Sequence, residues 1–314
     1  MDTARILVAS WEDGVVVVDG DRVAHELRGH SVEWLARDPA GRALAVVDGA
    51  RVCRRDAAGS WSTVVEVDAA LSCCVMSGGA LYVGTSAAQV LRVDEGGAVE
   101  RLSGFDRVAG RERWYAGSAI IDGRRVGPPL GVRSIAASCD GRVVLANVHV
   151  GGIPRSTDGG RGWAPTLEIE LDAHEVCAHP TDPRLVIAAT AAGLCISRDA
   201  GESWIVDRRG LHATHCAAVG FVGAEILISC ASDQFAAQGA VYRRTIAGDE
   251  PLELAGRGLP EWTDRIVDTH GIASHGALAA LVDGGGQLYV SLDEGRSWSA
   301  RLAGLAGASS VLIA

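Results

Sequence analysis

Apolar residues run along this chain in short bursts, each closed by turn-forming Gly, Asp or Ser. Residues 6–10, 15–19 and 23–27 set the pattern, and it returns at 133–138, 142–148 and 152–156. It returns again at 185–190 and 193–197, and at 277–283 and 287–291. Bursts of this length bounded by turn residues read as β-strands. The punctuation falls where hairpins need it, at Asp140-Gly141, Asp199-Ala200-Gly201 and Asp283-Gly284.

One kind of turn repeats. Ser156-Thr157-Asp158-Gly159-Gly160-Arg161-Gly162-Trp163 is matched by Ser197-Arg198-Asp199-Ala200-Gly201-Glu202-Ser203-Trp204, 41 residues on. Ser291-Leu292-Asp293-Glu294-Gly295-Arg296-Ser297-Trp298 lies 94 residues further, and a decayed copy ends in Asp56-Ala57-Ala58-Gly59-Ser60-Trp61. Ser and Asp side chains in such a turn bond backbone N–H groups, and Gly takes the conformation that other residues resist. The Trp then opens the next strand and packs on neighbouring sheet. The motif resembles the Asp-box, or BNR, repeat of sialidases, sortilin-type receptors and photosystem assembly factors. That resemblance implies a propeller whose box Asp is structural.

The repeat organises the whole chain, residues 1–314, as one all-β domain: a single β-propeller of seven four-stranded blades. Blades two to seven occupy roughly 32–66, 70–103, 133–169, 174–207, 214–255 and 270–302. The remaining 5–28 holds three strands, so 309–313 is expected to supply the missing innermost one and close the ring. Residues 104–131 fit no blade and are taken as an insertion, with Trp114 in a lid position.

Composition narrows the chemistry. Net charge is −10 and no basic run of five exists, which argues against nucleic acid as a partner. The first residues lack a signal-peptide core, and no apolar run reaches a membrane span, so a cytoplasmic protein with no membrane partner is expected. The eight Cys, with no CxxC pair, read as reduced thiols. Every basic residue other than His is Arg, which excludes Lys Schiff bases and phosphate-loop Lys.

Propeller sites gather at the mouth, where innermost strands begin. Aligning those starts matches Glu33, Leu71, Arg133, His174, His215, His270 and Ser309. Three successive blades thus offer His. Two of these sit in Asp-x-His, Asp172-Ala173-His174 and Asp268-Thr269-His270, and residues two apart on a strand face one side. Asn147, the chain's one Asn, and His149 end a strand at the same mouth. His174, His215 and His270 are therefore the expected ligands of a divalent metal ion (Zn, Fe, Cu, Ni or Mn). Asp172 and Asp268 would orient them or bind directly, Arg133 would steady an anionic or carbonyl oxygen, and Glu33 and His149 complete the catalytic candidates. Trp11, Trp114, Trp262, Asn147 and His212 are candidate walls of a substrate pocket.

Sialidase chemistry does not fit. The resemblance would require an Arg triad, a Tyr nucleophile and an Arg-Ile-Pro motif, and the nearest text is Gly152-Ile153-Pro154-Arg155 in the wrong order. Two readings stay open. One is a metal-dependent enzyme of hydrolase, lyase or isomerase type acting on a small molecule at the mouth. The other is a non-catalytic binding or assembly scaffold whose wet channel is merely lined by His, Asp and Arg.

Overall fold

The structure, a computed structural model, describes residues 4–116, 119–121, 124–126 and 130–314. Seven four-stranded antiparallel blades form a β-propeller. Blade one is Ile6–Ser10, Gly14–Asp19 and Arg22–Glu26, completed on its inner side by the C-terminal strand Ala308–Ile313. That pairing runs from Ile6 opposite Ile313 to Ser10 opposite Ala308, and Arg5 and Ala314 exchange backbone hydrogen bonds of 3.0 and 2.8 Å. The expected closure is thus present.

The innermost strands of blades two to seven are Val32–Arg37, Leu71–Ser77, Val132–Ala137, Ala173–Ala178, His215–Val222 and Ile272–His275. Burial explains the continuous apolar bursts. Second strands such as Ala43–Val47, Val144–Val148 and Val186–Thr190 are buried at every position, because a neighbouring blade covers each face. Outer strands such as Arg22–Glu26 and Val99–Arg101 are exposed and polar. In blade four the outer strand stops at Ala164–Pro165, short of the expected 163–169, since Pro165 has no N–H to extend the ladder.

The repeated turns share one hydrogen-bond scheme. Ser156 donates to Asp158 (3.0 Å) and accepts from Gly160 N–H, while Asp158 accepts from Gly162 N–H (2.9 Å). Asp199 and Asp293 do the same within their own hairpins. Gly160, Gly201 and Gly295 have φ near +80 to +90°. At Gly160 an added Cβ would also collide with Leu102 of the preceding blade, so the turn requires Gly twice over. Among the described residues of 104–131 are two short 3₁₀ turns and two strands, Ala119–Ile121 and Arg124–Val126, that pair with each other in a sheet of their own. The side chains of 117–129 lie outside the described residues, and so does the lid expectation for that stretch.

Cysteine chemistry departs from expectation. Cys216 and Cys230 face each other across two adjacent strands of blade six and are joined as a disulfide, so not all eight thiols are reduced. Cys53, Cys73, Cys74 and Cys195 are free and buried. Burial pushes the thiol of Cys73 up to about 12, so it is inert at neutral pH. Among the described residues no helix is long and apolar enough to cross a membrane.

The edge of blade five carries a buried ionic node. Asp207 accepts from Arg209 Nη2 (2.7 Å), Arg209 N–H (3.0 Å) and Arg244 Nη1 (2.5 Å). The Arg209 bond first, outweighing burial, holds its carboxyl down at about 2. A carboxyl depressed in the folded state stabilises above its unfolded pKa and loses that contribution as pH falls through the folded one. Asp207→Asn should therefore cost about 2 kcal/mol at pH 7. In urea titrations the gap to the wild type should narrow as pH falls below about 5 and close only toward about 2. A gap independent of pH would show that the carboxylate charge contributes nothing.

Candidate functional site

Most innermost strands carry a register break at their mouth end. The unpaired extra residues are Glu33, Ser72, Arg133, His174, Ala217 and Ser309. A bulge shifts side-chain alternation by one and re-aims the residue it inserts. Glu33, Arg133, His174 and Ser309 were aligned correctly from sequence; the other three positions were not. In blade three the ring position is Ser72 rather than Leu71, and in blade six it is Ala217 rather than His215. In blade seven it is Thr269 rather than His270. Thr269 Oγ1 lies 3.4 Å from His174 O and 3.5 Å from Ala217 O, on the ring itself.

Arg133 crosses this ring. Its Nε donates to Thr269 Oγ1 (2.9 Å) and its Nη2 to Asp268 Oδ1 (2.8 Å), linking blade four to blade seven. Blades one to three wall a cavity of about 360 Å³, with Trp11, Glu33, Trp34, Ser72 and Ser309 among its lining. Blades four and seven close it with His149, Arg133 and Asp268, and blades five and six contribute nothing.

The imidazoles cluster where blades four and five meet, and His149 belongs both to them and to the cavity's lining. His149, Asp172 and His174 each bring a ligand atom within 4.8 Å of the other two. Asp172 Oδ1 is 3.5 Å from His149 Nε2, and its Oδ2 is 3.5 Å from His174 Nε2. His174 Nδ1 donates to the carbonyl of Cys216 (2.6 Å). A carbonyl only accepts, so Nδ1 carries the proton and, in the neutral ring, Nε2 turns its lone pair on a carboxylate oxygen. Two acceptors facing each other require a positive centre between them, either a second proton or a metal ion. Burial first, then the neighbouring Arg133, pushes the His149 imidazole down to about 3, and burial pushes His215 down to about 4.

The polar bookkeeping points to the same corner. Among the described residues nine buried side-chain polar atoms lack a partner, and four of them are Asn147 Nδ2 and Oδ1, His149 Nδ1 and Asp172 Oδ1. Buried polar groups are normally paired, so such a concentration marks a place built for something else. Leu145, two residues before Asn147, packs on Ala173 and Val176 of blade five. Alternation turns Asn147 and His149 toward that same blade. The backbone is also unusual here, with Val150 and Asp172 at φ +46° and +51°, conformations that a β-branched residue rarely adopts.

Other expected residues fall elsewhere. The ring of His215 lies 4.7 Å from that of His174, centre to centre, beside the group but not in it. His270 leaves the expected trio. Its backbone turns at φ +63°, and its ring rests on Trp34 within the channel, with Nε2 3.9 Å from Glu175 Oε1. Glu175 was not foreseen. The bulge at His174 turns it inward, and burial pushes its carboxyl up to about 8 against a hydrogen bond from Val219 N–H. Trp114 is not a pocket wall: it is buried between Phe105 and Arg111. His212 and Trp262 pack together, and His212 Nδ1 meets Tyr242 Oη at 2.9 Å, apart from the cavity lining. Trp11 does line the cavity and is 53% exposed.

No family model and no curated protein matches the chain. Solved structures match it through the fold. A GH74 xyloglucanase from Xanthomonas campestris superposes with a TM-score of 0.61 at 21% identity, over 88% of this chain and 46% of its own. This chain therefore spans about half the length of that enzyme. U3-55K gives 0.62 at 11% identity over 91% of this chain and 85% of its own. The WD40 repeats of RRP9 give 0.62 at 12% identity over 91% and 84%. At such identities the likeness is one of fold, and it includes an enzyme and a WD40 propeller.

Asn147 offers a direct check on whether the corner is built for stability. In chelator-treated protein, Asn147→Leu should raise stability by about 1 kcal/mol, because an apolar side chain of similar volume replaces an unpaired amide. A lower urea midpoint for the variant would show that the amide has structural partners.

Proposed function

We propose that this propeller is a metal-dependent enzyme acting on a small molecule at its mouth, with His149, Asp172 and His174 as the metal ligands. The observation that carries this reading is the carboxylate of Asp172 set 3.5 Å from two imidazole nitrogens, one of them left a lone pair by its Nδ1–H bond to Cys216 O. Two ligand atoms bound at about 2.0–2.1 Å with tetrahedral angles lie roughly 3.3–3.4 Å apart. A ligating His whose other nitrogen donates to a backbone carbonyl is the usual way such a ring is oriented. Two nitrogens and one carboxylate oxygen leave open positions and suit Zn²⁺, Fe²⁺ or Mn²⁺.

A divalent ion there would supply an activated water or polarise a carbonyl, as hydrolases, lyases and isomerases require. The chain's own groups would do the rest. Arg133 stands between the ion and the cavity, where its guanidinium can hold an anionic oxygen. Asp268 and Glu33 flank the cavity as carboxylates able to move a proton. The box hairpins, with their shared Ser–Asp–Gly bonding, support kinship with the Asp-box propellers.

A binding platform is the second reading. Trp11, Tyr115 and Phe235, in loops on the mouth side, are 53%, 58% and 76% exposed, as a contact face would have them.

Metal analysis of untagged protein decides between the two. The enzyme reading expects close to one equivalent of a transition metal, lost in His174→Ala and Asp172→Ala and kept in His270→Ala. Less than about 0.2 equivalents after metal loading would overturn it, and loss in His270→Ala alone would restore the ring of three His.

A further inference from the structure

The cavity beyond Arg133 has a chemistry of its own. Two of its hydroxyls, on Ser72 and Ser309, have already spent their protons. Ser72 donates to Val132 O (2.6 Å), Ser309 donates to Val32 O, and Ser31, beneath the cavity, donates to Glu33 Oε1 (3.1 Å). Trp34 Nε1–H is committed to Cys74 O (3.0 Å). What remains on Ser72 and Ser309 is lone pairs. The other carboxylate oxygen, Glu33 Oε2, is shielded from solvent and has no partner. Burial accordingly raises the pKa of this carboxyl. Trp11, Trp34, Leu71 and Val132 supply the remaining wall, two aromatic rings among them.

A site with acceptors to spare, one anionic group without a partner and indole faces beside it selects a donor-rich, positively charged head on an apolar body. We propose that this cavity is an amine subsite: it binds a small organic ammonium, with the N–H donors on Ser72, Ser309 and the Glu33 carboxylate, whose Oε2 rotates out of its solvent-shielded position to meet them, and the apolar part on Trp11 and Trp34. The inference rests on the mouth being a small-molecule site but not on a metal. It also orients a ligand. The ammonium end lies toward blade two, and the opposite end reaches Arg133 and His149, the residue that the cavity shares with the imidazole group.

Matched probes test it. Phenethylamine, 2-phenylethanol and 3-phenylpropionate share one body and differ in the head; xylose adds a neutral polyol. Binding is read by saturation-transfer NMR and calorimetry, on chelated and on metal-loaded protein. Phenethylamine should bind at least about 10-fold more tightly than the alcohol, a difference of about 1.4 kcal/mol, and the carboxylate should not bind. Glu33→Gln should bring the amine down to the level of the alcohol, Glu33→Asp should keep part of the preference, and Trp11→Ala should weaken the amine several-fold. A melting curve of each variant separates loss of binding from loss of fold. Chelation should leave the preference intact, so failure of the metal reading would not remove it. Preference for the carboxylate or for xylose, amine binding indifferent to Glu33→Gln, or no binding by phenethylamine would each overturn the proposal.

Discussion

The closing strand pair, Ile6–Ser10 against Ala308–Ile313, is the constraint on which the molecule depends. Each blade buries both faces against neighbours, so no blade has a complete core of its own. An open ring would leave the faces of blades one and seven uncovered and one inner edge unpaired, and exposed edges invite association. The pairing joins residues about 300 positions apart in sequence. It can form only when the blades between are in place, so the ends of the chain depend on its middle. The core follows this logic: Ile6, Val8 and Val16 of blade one share a cluster with Ala280, Val282 and Leu288 of blade seven.

Closure also sets what the mouth can hold. Inner strands converge there, and a regular ladder would point alternate side chains into a space too narrow for seven of them. Bulges relieve the crowding by rotating one residue per strand onto the rim. The same device places large groups beside small ones: Glu33 lies between Ser309 and Ser72, and Arg133 and His174 lie between Ser72 and Ala217. Arg133 can span from blade four to blade seven because Thr269 is short and Ala217 leaves the path clear.

This explains what could be read in advance. The blades were legible because each depends on local signals, namely turn residues at fixed intervals and the Ser–Asp–Gly–Trp hairpins with their own internal bonds. Closure was legible by counting strands in blade one. The ring residues were legible where the aligned strand start fell on the bulge itself, as at Glu33, Arg133, His174 and Ser309. A bulge leaves no clear mark in composition, so Leu71 and His215 missed Ser72 and Ala217 by one and two residues, and in blade seven the ring position falls before the strand, at Thr269 rather than His270. Asp172 and His149 were recognised as neighbours of a site, but their joint approach to His174 depends on the interface between blades four and five. Glu175 was invisible for a related reason: a charged residue in the middle of Ala173–Ala178 reads as outward-facing until the bulge reverses it. The disulfide between Cys216 and Cys230 depends on register across one hairpin, which irregular Cys spacing could not reveal.

The unpaired polar atoms bring these points together. A propeller's stability comes from apolar faces between blades, and elsewhere in this chain those faces are nearly free of polar atoms without partners. Among the described residues five of the nine exceptions lie at one corner of the blade four–five interface and at Glu33; the others are on Arg54, Asp106, Arg111 and Arg244. Each such atom costs stability when dry, and closure of the ring can carry that cost because it is a property of the whole assembly. Asn147 has no hairpin or cap to serve and sits in a fully buried strand where Val or Leu would pack as well. Glu33 is likewise on a strand otherwise committed to the core. Both lie within reach of the mouth, and both hold capacity that the folded chain does not use.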